Sequence, residues 1–164
     1  MKLITFTSLV LLAVSAFSYP TLKDKASFVG VFNSTTGTKT NFTQDFELVA
    51  FDEPSFTYTL QTTSVVTATG QTETETMSIR EDQLLHNDLV KYLLQNCTAQ
   101  SGKLEKITVP AGTFETCAVP TEGGGVTWVG EAPFGMIKIK NVDEHKNVIE
   151  LELKSFVDGS VTVQ

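Results

Sequence analysis

From Phe42 most of the chain alternates apolar and polar residues with a period of two. Phe42, Phe46, Leu48 and Ala50 fall on one side of an extended chain, and Thr43, Asp45 and Glu47 on the other. A period of two fits a β-strand with one buried and one wet face, and a helix would scatter the same side chains around its whole surface. The pattern repeats after Glu53-Pro54, a turn signal, with Phe56, Tyr58 and Leu60 facing one way and Thr57, Thr59 and Gln61 the other. These two runs read as neighbouring antiparallel strands. Near the end of the chain Ile149, Leu151 and Leu153 point inward and Glu150, Glu152 and Lys154 outward. The class predicted is mainly β, a curved antiparallel sheet resembling a half-barrel.

Between these runs the composition changes. Gln61 to Thr76 is threonine-rich, with Ser64, Gln71, Glu73 and Glu75, and Ala68-Thr69-Gly70-Gln71 supplies a turn. This predicts a long hairpin, polar on both faces, projecting beyond the core. Helical spacing occurs in Gln83 to Gln95, where Leu85, Leu89, Tyr92 and Leu93 share a stripe and Asp82 or Asn87 could cap the start. This helix is predicted to cover the concave sheet. Shorter strands follow over Thr113–Val119, Val126–Val129, Gly135–Lys140 and Val148–Phe156, with polar turns such as Asn141–Asn147 between them.

The amino terminus reads as a leader. Lys2 precedes the apolar run Leu3–Val14, and Ala16-Phe17-Ser18 has the small-x-small pattern of a cleavage site, so residues 1–18 are predicted to be removed on export to the periplasm or beyond. The apolar run is shorter than the roughly 18 residues of a spanning helix. Removing 18 of 164 residues leaves 146, the length of one domain, residues 19–164. The formal charge of -7 includes the single positive charge of Lys2, so the remaining chain carries -8, which repels nucleic acid and anionic membrane surfaces. In an oxidising compartment Cys97 and Cys117 are expected to form a disulfide.

Catalytic signals are few. His86 lies beside the predicted helix and His145 in a polar turn, and both read as solvated side chains. Glu73 and Glu75 would share one strand face about 7 Å apart, but on a threonine-rich surface rather than in a cleft. The glycines at 123–125 precede a strand, whereas a phosphate loop opens a helix. No metal site, cofactor or catalytic residue is predicted. Asn33-Ser34-Thr35, Asn41-Phe42-Thr43 and Asn96-Cys97-Thr98 match the glycosylation pattern of eukaryotic exported proteins.

The stretches Ile107–Cys117, Thr127–Val129, Ala132–Lys138 and Leu151–Phe156 form a recurring pattern. It resembles uncharacterised bacterial envelope families, the DUF3108-like ones among them, with a curved sheet similar to the LolA/LolB lipoprotein carriers. The resemblance implies an apolar concavity for acyl chains. The aromatic content, with 11 phenylalanines, gives candidate ligand contacts at Phe46, Phe56, Tyr58, Trp128 and Phe134. Trp128 and Phe134 are expected to line the same apolar region. The expected partner is a lipid, a lipoprotein or a protein docked on the curved sheet. The alternative is an interaction module whose core is filled, by Leu85, Leu89 and Leu93 of the helix among others, and whose threonine-rich hairpin pairs with a partner.

Overall fold

The computed structural model describes residues 20–159. The predicted leader lies outside them. Among the described residues nine strands form one antiparallel sheet: β1 (Lys25–Asn33), β2 (Lys39–Asp52), β3 (Thr57–Val66), β4 (Thr72–Arg80), β5 (Lys103–Val109), β6 (Gly112–Thr121), β7 (Gly125–Val129), β8 (Met136–Val142) and β9 (Val148–Val157). Their order is β4-β3-β2-β1-β9-β8-β7-β6-β5. Each half is a meander of consecutive strands, and the halves join where β1 lies against β9. One α-helix, α1 (Asn87–Gln95), connects them, and the Cys97–Cys117 disulfide ties the turn after α1 to β6.

The sheet is bent. Four strand spacings of about 4.8 Å would set β5 roughly 19 Å from β9 in a flat sheet. Instead Ala111, in the two-residue turn between β5 and β6, donates its N–H to the Leu153 carbonyl of β9 at 3.0 Å. The curl brings the inward faces of both halves onto one core, with Phe28, Leu48, Tyr58, Phe134, Ile137 and Leu153 among its buried members.

Three sequence expectations are corrected. Ala50 does not share the face of Leu48, because the β2–β3 register shifts between them: Leu48 pairs with Leu60, Ala50 with Thr59 and Phe51 with Tyr58. The bulge at Val49 adds one residue and so reverses every later side chain, which turns Phe51 inward against Tyr58 with ring centroids 4.4 Å apart. Phe56 is not a strand residue. It ends the 3-10 turn Glu53–Ser55 in the left-handed region, with φ 49°, and is 63% exposed.

The helix begins at Asn87, not Gln83, because Glu81–Gln83 form a separate 3-10 turn and Leu84 runs on in extended conformation. Leu84 enters the core, and Leu85 and Val90 pack over Gly135. This rotates α1 so that Val90 is its buried residue while Leu89 and Tyr92 face solvent. Strands β1 and β5 occupy stretches for which the sequence reading assigns no element. Their signal is present in β1, whose Ala26, Phe28 and Gly30 alternate as buried positions.

Candidate functional site

Phe46, Tyr58 and Phe134 come together with the interior packing. Phe28 meets Phe46 edge to face at 5.6 Å, and Phe46 meets Phe134 at 5.9 Å. Phe134 reaches inward from the Ala132–Gly135 turn, where it adopts φ 66° and is buried. Tyr58 is buried too, and its hydroxyl donates to the Pro20 carbonyl at 3.1 Å. Phe28, Phe46 and Phe134 thus pack on one another within the core, and Tyr58 packs on Phe51.

Trp128 lies on the opposite face, so it does not line the region of Phe134 as expected. It pairs with Lys138, which pairs with Glu152, whereas Leu151 and Leu153 point the other way into the core. Its indole N–H donates to the Glu105 carboxylate, and the Lys138 ammonium stands 5.7 Å from its ring while bonding Glu152 at 2.6 Å. The indole donor, followed by the Lys103 side chain, holds the Glu105 carboxyl below its ordinary range. Phe56, the fifth predicted contact, sits apart in an open hollow of about 490 Å³ with Ser55, Arg80, Glu81, Asp82 and His86. There Arg80 pairs with Asp82 at 3.2 Å, and the His86 Nε2 lies 2.8 Å from the Glu81 carbonyl.

A different feature has the geometry of a binding surface. β4 is an edge strand, and only Ile79 among its nine residues is even partly covered. Val66 donates its N–H to Gln71, and Glu81 donates to Phe56, one bond at each end of the β3–β4 ladder. Antiparallel pairs alternate between hydrogen-bonded and non-bonded types, so the bonded positions of β4 are Glu73, Glu75, Met77 and Ile79. Thr72, Thr74, Thr76, Ser78 and Arg80 therefore point their backbone N–H and C=O away from the sheet. The Arg80 N–H is closed off by the Gln83 side chain at 3.1 Å. Thr72, Thr74, Thr76 and Ser78 remain as four consecutive open docking positions without a backbone partner among the described residues.

The side chains of β4 divide by the same parity. Glu73 and Glu75 share the face of Met77 and Ile79, and the hydroxyl residues occupy the other face, where Thr74 meets Thr63 at 3.3 Å. The sequence displayed this alternation. Which set carried the free backbone groups required the register. Among the described residues, no three His, Cys, Asp or Glu side chains are grouped to hold a metal ion, and no helix is long and apolar enough to cross a membrane.

Comparison with known proteins gives little kinship. No family model matches the chain, so membership of the DUF3108-like families is not shown, and no curated protein matches. Among solved structures, a candidate lipoprotein of Parabacteroides distasonis overlays with a TM-score of 0.45 and 12% identity, over 86% of this chain and 98% of that one.

Proposed function

We propose that this protein is an exported, non-enzymatic interaction module that receives an extended segment of a partner protein along the open edge of β4. The carrying observation is the row of four outward-facing backbone positions from Thr72 to Ser78. Strand addition uses such an edge, with main-chain hydrogen bonds supplying affinity and alternate side chains supplying selectivity. Export rests on the leader at residues 1–18. The mutual packing of Phe28, Phe46 and Phe134 favours this reading over an acyl-chain carrier, which needs a chamber where those rings meet.

A photo-crosslinking residue at Thr74, with another at Lys106 for comparison, tests the proposal in protein exported by its own host. The expected result is one discrete adduct from position 74 alone. Equal labelling at both positions, or none, overturns it. A lipid retained stoichiometrically in native mass spectrometry would replace it with the carrier reading.

A further inference from the structure

We infer that the segment received by β4 is basic, carrying Lys or Arg at two positions with a single residue between them. This rests on the strand-addition reading above and names the chemistry of its partner. A new antiparallel strand would form its bonded pairs with Thr72, Thr74, Thr76 and Ser78, because those residues hold the outward backbone groups. Glu73 and Glu75 would then occupy non-bonded pairs with the incoming strand. Such pairs bring alpha carbons to about 4.5 Å, closer than the roughly 5.5 Å of bonded pairs, and hold their side chains against one another. The two carboxylates therefore sit at the positions where a cross-strand charge acts most directly.

Their surroundings leave this charge uncompensated. Glu73 stands beside Ser64 of β3, and Glu75 beside Thr62, both uncharged. Both carboxylates belong to exposed residues and have no ion-pair partner among the described residues. The two cations would face Glu73 and Glu75, with a small or β-branched residue between them meeting Thr74. A second copy of β4 supplies no cation to either carboxylate: antiparallel pairing centred on Thr74 sets Glu73 opposite Glu75 of the other chain and repels, and pairing centred on Thr76 sets Glu73 opposite Ile79 and Glu75 opposite Met77.

Titration of the isotope-labelled protein with three seven-residue peptides tests the inference by amide NMR. Each alternates Thr with Lys, Gln or Glu. The Lys peptide is expected to shift Thr72, Thr74, Thr76 and Ser78 and to bind about fivefold tighter than the Gln peptide at low salt. That advantage should shrink toward one in 1 M salt or in Glu73→Gln/Glu75→Gln. Equal binding of the Lys and Gln peptides at this edge would overturn the charge inference while keeping strand addition. No shift along β4 with any peptide would overturn both. Preferred binding of the Glu peptide, or concentration-dependent dimerisation through β4, would replace the basic partner.

Discussion

Asp24 is fully buried, and its carboxylate accepts the N–H of Thr21 at 2.6 Å and of Gly159 at 2.7 Å, joining the two ends of the described chain. Burial is the largest influence on it and raises its pKa above the ordinary value, against the opposing pull of those two donors. A carboxyl raised in the folded state favours folding when protonated. Its contribution is thus fully present below the unfolded pKa and fades as pH rises through the folded one. Denaturant melts across this acidic window should show Asp24→Asn removing that part of the pH slope, and an unchanged slope would refute the assignment. Phe134 makes a second case at this scale. Its φ of 66° costs backbone strain, yet its ring is buried against Phe46. Phe134→Ala should destabilise by about 3 kcal/mol in equilibrium unfolding, while a loss under about 0.5 kcal/mol would mean that the ring does no packing.

The disulfide acts on a whole element. The Cys97–Cys117 separation of 20 residues gives roughly 3 kcal/mol on the chain-entropy account, and the bond anchors an α1 whose only fully covered residue is Val90. Cys97→Ala/Cys117→Ala should lower the melting temperature by about 10 °C in calorimetry, and near-invariance would show that helix packing alone suffices. How far such elements could be read from sequence depended on whether a local rule decided them. Strand β9 was legible because the period of two runs unbroken from Ile149 to Leu153, ahead of the register shift at Lys154, and the β3–β4 hairpin because threonine-rich runs flank the turn signal Ala68–Gln71. The bulge at Val49 was not, since Leu48-Val49-Ala50 is equally apolar on either face and the choice is made by Phe51 packing on Tyr58. The start of α1 was overextended for a similar reason, because burial of Leu84 outweighs local helix spacing. The candidate edge was visible as Thr-Glu alternation, but its free groups follow from pairing with a strand that closes only across the turn at Gly70.

At the scale of the molecule, stability must fall away from the β1–β9 seam. β1 contributes Ala26 and Phe28 to the core and β9 contributes Leu151 and Leu153, whereas no residue from Gln61 to Arg80 is buried. Apolar burial is what makes opening a strand costly, so the outer hairpin from Gln61 to Thr76 can detach without exposing core, while Ile79 holds the base of β4 against Tyr58. The other edge, β5, is protected differently: it is shorter, carries Lys103 and Lys106, and its tip is held to β9 through Ala111. Hydrogen exchange of the native protein should therefore fall into two groups. The bonded amides of β1 and β9 should exchange only through global unfolding, with denaturant dependence matching the equilibrium transition. Those of Glu73 and Glu75, bonded to β3, should exchange through local fraying, about a hundredfold faster or more and with little denaturant dependence. If the Glu73 and Glu75 amides were instead as slow as those of β1, the hairpin would be held by contacts that the sheet does not supply, and its edge would not be free to receive another strand.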